Sequence, residues 1–146
     1  MRKLFFNATA AALVAAGVGA CSSPPASPPR GALPPGTAEV TINHATLPAT
    51  TAVECMPIGS LTTITTGDSA AGVTALISNA TGLTAKSVSI KGLGGFTGSY
   101  MDKLDGNAAD VRMADQTYII HGIADGFDAD NPSMRTTGTF AIRVAC

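Results

Sequence analysis

The sequence predicts an all-β domain, a small antiparallel β-sandwich or partly open barrel, that follows a cleaved signal peptide and a Pro-rich tether. From residue 38 onward, apolar residues alternate with polar ones in short runs, which is the period of strands with one buried face. Gly and Asn/Asp clusters separate these runs at the spacing of turns in sandwiches and barrels. Signals for helix start and stop are sparse.

The first twenty residues have the pattern of a secretory signal peptide. Arg2 and Lys3 form a short basic start, and an apolar stretch follows up to Val18, with no charge before Arg30. This stretch is too short to cross a hydrocarbon core of ~30 Å as a permanent helix. A basic start, an apolar stretch and small residues at the end are typical of an export signal. We therefore expect residues 1–20 to be removed.

The signal ends in Val18-Gly19-Ala20-Cys21, the pattern of a bacterial lipobox. In a lipobox the cysteine thiol accepts a diacylglycerol, and cleavage frees an amine that can be acylated in turn. The alternative is a plain secreted protein with an incidental cysteine at the cleavage site. The lipobox interpretation predicts lipid attachment at Cys21 and a cell-envelope protein anchored on the outer side of the membrane, since two or more chains give stable binding.

Residues 22–36 hold six of the nine prolines of the chain. Pro pairs favour extended polyproline II, so residues 21–37 are predicted to be the lipidated cysteine and its tether. At ~3.1 Å per residue this spacer would reach about 45 Å. A ligand for a proline-recognition domain is the less favoured alternative. The remaining residues, 38–146, are predicted to form a single β-domain.

Alternating or β-branched runs place the predicted strands near residues 40–42, 53–55, 61–66, 73–77, 88–90, 96–100, 111–113, 116–123 and 140–146. Residues 68–77 could instead form a helix capped by Asp68 or Ser69. Gly72, Val73 and Thr74 lower the helix propensity there, so a strand is favoured. The last run puts Phe140, Ile142, Val144 and Cys146 in one row that faces the core.

The chain has three cysteines, and lipid on Cys21 would leave Cys55 and Cys146 in an exported domain. Oxidation is permitted outside the cytoplasm, so we expect a disulfide between these two. Two buried free thiols are the alternative. The bridge would close a loop of roughly 90 residues, which is worth about 4–5 kcal/mol in the chain-entropy model.

Charge and composition exclude some partners. Without Arg2 and Lys3 the chain has seven basic and ten acidic residues, which is not the balance of a nucleic-acid-binding protein. Trp is absent and aromatic residues make up 5%, so no aromatic platform for sugars or bases is evident.

No catalytic, metal or cofactor site is predicted. The two histidines, His44 and His121, are too few for an ordinary zinc or copper site once both domain cysteines are bridged. His121 is expected on a strand, satisfied or half-exposed. A hydrolase is disfavoured because no Gly-x-Ser-x-Gly sequence occurs.

Four oxygen-bearing residues, Asp125, Asp128, Asp130 and Asn131, are predicted to share one loop. Such a density of oxygen ligands can bind Ca²⁺. Their spacing does not fit an Asp-x-Asp-x-Asp-Gly loop, and Asp-Gly and Asn-Pro pairs are common in ordinary turns. We therefore favour a structural turn.

The order of several segments resembles the mycobacterial nineteen-kilodalton lipoprotein antigen family, also called the LpqH type. The similar segments are Val53-Glu54-Cys55, residues 70–77, 86–90, 98–100, 106–108, 118–122 and 126–128, Asn131-Pro132, and Phe140-Ala141-Ile142-Arg143-Val144-Ala145-Cys146. The likeness covers the lipobox and nearly the whole domain. The chain departs from the family in its tether, which is Pro-rich rather than Thr/Ser-rich, and in Met56-Pro57.

The resemblance implies a non-enzymatic surface lipoprotein, an antigen with proposed adhesion to host cells, whose lipidated N-terminus is sensed by Toll-like receptor 2. The alternative function is an envelope carrier that binds a hydrophobic ligand or lipid. A carrier needs a large apolar cavity, and a domain of roughly 110 residues rich in Ala, Gly and Thr leaves little interior for one.

Overall fold

The computed structural model describes residues 26–104 and 106–146. The predicted signal peptide and Cys21 lie outside this part of the chain. The described residues form strands and turns, with no helix: β1 (Ala38–Ile42), β2 (Ala45–Thr46), β3 (Val53–Ile58), β4 (Leu61–Gly67), β5 (Gly72–Ser78), β6 (Thr84–Leu93), β7 (Phe96–Met101), β8 (Ala109–Ala114), β9 (Thr117–Asp128) and β10 (Thr136–Ala145). The predicted all-β class is confirmed.

The strands form one antiparallel sheet in the order β2-β1-β10-β9-β7-β6-β5-β4-β3. The central strand β9 pairs with β10 along one edge. Its other edge is shared, because β8 pairs with the first half of β9 and β7 with the last residues. The sheet curls on itself into a half-barrel, so the predicted partly open barrel is confirmed. Below, the inner face is the concave side that holds the core, and the outer face is the convex side.

Two-residue turns connect several of the hairpins. Asn43 and His44 both adopt positive φ, 48° and 67°, between β1 and β2. Gly94 and Gly95 do the same between β6 and β7, with φ of 57° and 74°. Two consecutive positive φ values are the requirement of type I′ turns, whose twist matches that of the strands they join. The local sequence thereby sets the register of these hairpins.

The core is one cluster of inward-facing residues from both ends and the middle of the sheet. Its largest fully buried side chains on the inner face are Phe96, Ile42, Ile64, Ile77, Ile90, Ile120, Ile142, Val73, Val88 and Val144. In the stretch 68–77, where a helix was the alternative to a strand, residues 68–71 form a turn and strand β5 begins at Gly72. The preference for a strand there is confirmed.

Candidate functional site

A disulfide joins Cys55 in β3 to Cys146, as predicted, across 91 residues of sequence with a Cα–Cα distance of 5.9 Å. β3 is one end of the strand order, while Cys146 directly follows β10 on the other side of β9. The bridge therefore ties the two sides of the curled sheet together. Within the described residues both cysteines are consumed, so that part of the chain offers no free thiol.

The predicted placement of Cys146 in a core-facing row is wrong. Phe140, Ile142 and Val144 are buried as expected, but β10 ends at Ala145 and Cys146 is exposed. The pairing of β10 with β9 stops at the Ala145–Thr117 pair, so Cys146 lies beyond the last layer of the core. Its partner Cys55 is half-buried and packs against the core, as the alternation in β3 predicted.

Residues 31–37 of the predicted tether contact the sheet, first on the outer face of β9 and then along the edge of β10, and we call this segment the strap. The N–H of Leu33 donates to Oγ1 of Thr117 at 2.9 Å, and the N–H of Gly36 donates to the carbonyl of Ala145 at 2.9 Å. Gly31 lies over Ile119, whose Cδ1 would be 2.8 Å from a Cβ at that position. The boundary at residue 38 stays a prediction, but contacts with the sheet begin before it.

The strap explains two buried residues on the outer face of β9. Thr117 and Ile119 point away from the core, yet each is only 1% exposed. Ile120, the next residue, is buried in the core. Two adjacent buried isoleucines in a strand require cover on both faces, because successive side chains point to opposite sides. This pair is the sequence signal that would have revealed the strap.

The two histidines lie on the outer face of β1, β9 and β10. His121 is on a strand, as predicted, and is exposed; His44 is exposed in the β1–β2 turn. Both line a shallow groove of 260 Å³, together with Thr41 and Thr139. Across residues 26–104 and 106–146, no three His, Cys, Asp or Glu side chains are grouped so that they could hold a metal ion.

The acidic residues near position 128 do not share one loop. Asp125 and Asp128 belong to β9, so the prediction is wrong for these two. Asp125 accepts a hydrogen bond from Nδ2 of Asn107 at 3.3 Å. The turn itself is closed by the N–H of Asn131 to the carbonyl of Asp128 at 3.1 Å. The favoured structural turn is present after Asp128.

Asp68 caps a turn rather than a helix. Its Oδ1 accepts the N–H groups of Ala71 and Ala70 at 2.9 and 2.8 Å. These two hydrogen bonds, that of Ala71 first, hold the pKa of the Asp68 carboxyl below its ordinary 3.8, because both favour the charged form. The carboxylate fixes the β4–β5 turn at the surface.

The cavities bear on the carrier hypothesis. An apolar slot between β1 and the β4–β5 turn, lined by Val40, Leu47 and Leu93 among others, has a volume of 230 Å³. Two outer grooves of 390 and 410 Å³ are open and lined mainly by hydroxyl and charged side chains, such as Thr74, Ser89 and Lys91. Ligand sites usually offer about 300–1,000 Å³ with apolar walls. The slot is smaller than that, and the larger grooves are open to solvent rather than enclosed.

In the described ranges, no helix is long and apolar enough to cross a membrane.

The model of the family described as "Mycobacterium 19 kDa lipoprotein antigen" matches residues 31–146. The chain belongs to this family. The matched region begins at Gly31, where the strap begins, so the family match includes the segment that lies on β9. The resemblance drawn from the sequence is thereby confirmed.

Two relatives, each named "Putative lipoprotein", support the assignment. One from Mycobacterium indicus pranii is 34% identical over an alignment of 146 positions, covering 95% of this chain and 96% of the relative. One from Mycobacterium avium subsp. hominissuis is 40% identical over 95 residues, covering 64% of this chain and 65% of the relative. The chain thus spans just under two thirds of the latter relative in that match. The family is one of envelope-associated lipoprotein antigens, and its description names no enzymatic activity.

Proposed function

We propose that this protein is a non-enzymatic surface lipoprotein, antigen- and adhesin-like, held on the outer side of the cell membrane by acyl chains on Cys21 after removal of residues 1–20. Membership of the lipoprotein antigen family carries the proposal. The sequence Val18-Gly19-Ala20-Cys21 supplies the attachment chemistry. Burial of acyl CH₂ groups stabilises membrane binding by ~0.8 kcal/mol each, and a second chain makes anchoring stable.

The domain fits a role in presenting a surface, which we call display, rather than in catalysing a reaction. A disulfide joins the two sides of its curled sheet, and the strap holds the chain before β1 against the sheet. His121 lies exposed in a shallow groove on the outer face, where Thr41 and Thr139 are also in reach of solvent. A rigid, stable domain on a lipid anchor presents a fixed surface to antibodies or host cells.

The proposal includes recognition of the acylated N-terminus by host Toll-like receptor 2. Lipid recognition would make the receptor respond to the Cys21 acyl chains and not to the folded domain. The test compares wild type with Cys21→Ala in cells that carry a Toll-like receptor 2 reporter. We expect the wild type to activate the reporter and Cys21→Ala to lose at least ten-fold in potency.

Thr74→Ala is the matched control, because Thr74 is exposed on the outer face of β5 and leaves Cys21 intact. This control should signal like wild type. Equal potency of Cys21→Ala and wild type would contradict the proposal.

An envelope carrier of a hydrophobic ligand or lipid is the second candidate. Its best support is the apolar slot beside Leu47 and Leu93, and its weakness is the 230 Å³ volume of that slot. Native mass spectrometry of the Cys21→Ala form purified from its host decides between the two. The display function predicts the mass of the bare chain, whereas a carrier would retain a lipid.

A further inference from the structure

The outer face of the half-barrel carries a row of five uncharged side chains near one end of its strands, three of which are apolar. Met56, Thr63, Leu76, Ser87 and Met101 are direct cross-strand partners in the order β3, β4, β5, β6 and β7. Met56 is 50% and Met101 48% exposed. Cross-strand partners lie about 4.7–4.9 Å apart in the sheet, so the row is continuous across five strands. It carries no charge.

Beyond this row, the neighbouring turns add further exposed apolar side chains. Ile58 and Leu61 flank the β3–β4 turn, and Ile58 is 69% exposed. The carbonyl of Ser60 accepts the N–H of Asn79 at 2.9 Å, which sets the β5–β6 loop with Leu83 beside this turn. Leu104, 72% exposed, follows β7 at the same end. We call Met56, Ile58, Leu61, Leu83, Met101 and Leu104 the apolar end.

The polarity changes abruptly along the strands. The next row across the same face consists of Glu54, Thr65, Thr74, Ser89 and Ser99, all exposed and all polar. The two rows are two residues apart, or about 6.8 Å along an antiparallel strand. The face is therefore apolar at its end and hydrophilic immediately behind, which is the polarity of a surface that enters an interface by a few ångströms.

The charged residues nearest the apolar end in the sequence balance, with Lys86 and Lys103 against Asp102 and Asp105. Lys103 is exposed next to Leu104. Lys86 pairs with Asp102 at 3.1 Å, so the acidic charge there is compensated. Lysines beside apolar side chains are typical of surfaces that lie at a membrane interface, where the ammonium meets the headgroups.

The strap places the start of the anchor near this end. β7 runs antiparallel to β9 from the Phe96–Asp128 pair, so Met101 lies toward the Thr117 end of β9. The strap contacts Thr117 and Ile119, the first and third residues of that strand. Nine residues then separate Gly31 from Cys21, and even a fully polyproline II segment of this length would reach only about 31 Å. Gly31 lies over Ile119, which is about 7 Å along β9 from Thr117 but about 31 Å from Asp128 at the far end. The tether therefore favours this end of the domain over the far end as the side nearest the lipid.

We propose that the apolar end rests on the lipid surface that receives the Cys21 acyl chains, with Ile58 and Leu104 inserted among the lipids. This rests on the proposed lipid anchor. Exposed apolar patches that are rimmed by polar residues mark protein or membrane interaction sites. Pairing of β3 with a second copy is the other use of this edge, but Pro57 in β3 lacks the N–H that strand addition needs.

The natural absence of Trp provides a direct test. Full-length Ile58→Trp and Leu104→Trp are expressed with lipid processing and reconstituted into vesicles of phosphatidylcholine and phosphatidylglycerol, with or without bromine on the acyl chains. We expect bromolipid quenching of either tryptophan to be at least two-fold greater than that of Thr74→Trp, the control in the polar row.

Amide hydrogen exchange of the wild type covers the case in which a tryptophan variant fails to fold. Residues 58–61 and 102–104 should exchange at least three-fold more slowly in the vesicle-bound lipoprotein than in the Cys21→Ala form in solution. Protein that does not float with vesicles would contradict the anchor itself. Protein that floats, with equal quenching at all three positions and equal exchange, would overturn the apolar-end proposal and leave the anchor standing. Protection of residues 58–61 that rises with protein concentration without vesicles would overturn it in favour of self-association.

Discussion

At the scale of single residues, the inner face depends on glycines that make room for aromatic rings. A Cβ on Gly138 would lie 2.8 Å from Cζ of Phe96, and one on Gly98 would lie 2.6 Å from the same atom. Phe96 is fully buried, and its ring occupies the space that two side chains would take. Gly122 has the same relation to Phe140, at 2.6 Å. Large rings over glycines let the strands curl tightly around a small core.

We predict that Gly138→Ala destabilises the domain by overpacking. The ring of Phe96 is enclosed and cannot move away, so the cost should be about 1–3 kcal/mol. In thermal unfolding this corresponds to a fall of roughly 4 °C or more in the midpoint. The same change in a Phe96→Leu background should cost less, because the clash is relieved. An unchanged midpoint for Gly138→Ala in the Phe96 background would contradict this account.

At the scale of elements, alternation predicted most strands and their inward faces. β3, β4 and β7 lie where runs of β-branched, apolar and hydroxyl residues indicated them. The extension of β9 to Asp128 was missed, since Asp125-Gly126 is a common turn sequence. Gly126 instead pairs with Gly98 of β7, and only glycine fits there, because a Cβ would lie 1.9 Å from the carbonyl oxygen of Thr97. Such a close approach is a tertiary constraint that no local pattern shows.

The strap was missed for a related reason. Its sequence has no apolar periodicity, and it donates hydrogen bonds to the sheet from two backbone N–H groups, Leu33 to Thr117 of β9 and Gly36 to Ala145 of β10. The disulfide pairing was predictable because two cysteines allow one bridge. The exposure of Cys146 could not be predicted, because an alternating pattern does not show at which residue a strand stops pairing.

We predict that Thr117→Val loosens the strap. The N–H of Leu33 would lose its acceptor while the isosteric side chain keeps the packing, a change that costs about 1–3 kcal/mol for a buried polar group. The unfolding midpoint should fall, and the amides of residues 31–37 should exchange faster. Thr117→Ser, which keeps the hydroxyl, is the control. Slow exchange retained in Thr117→Val would show that this hydrogen bond does not hold the strap.

At the scale of the whole molecule, the disulfide joins β3 to the residue that follows β10. Small domains have thin margins of stability, of about 5–15 kcal/mol. A loop closed over 91 residues contributes about 4–5 kcal/mol by restricting the unfolded chain. The bridge is therefore a large part of what keeps the half-barrel closed.

We predict that the double mutant Cys55→Ser, Cys146→Ser unfolds at a lower temperature than its parent, the Cys21→Ala form. The midpoint should fall by about ten degrees or more, because ~1 kcal/mol corresponds to about 4 °C for a domain of this size. A reductant should lower the midpoint of the parent to a similar extent and should not affect the double mutant. Two titratable thiols in the denatured, unreduced parent, or equal midpoints, would refute the structural role of the bridge.

The central claim at this scale is that the β-domain works as the exposed part of a molecule anchored at Cys21. Intact-mass measurement of the protein extracted from membranes tests it most directly. We predict a mature chain that begins at Cys21 and carries the added mass of a diacylglycerol, with or without a further acyl group on its amine. Cys21→Ala should yield no acylated form. A mature chain that begins at another residue, or one that begins at Cys21 without acyl mass, would contradict the claim.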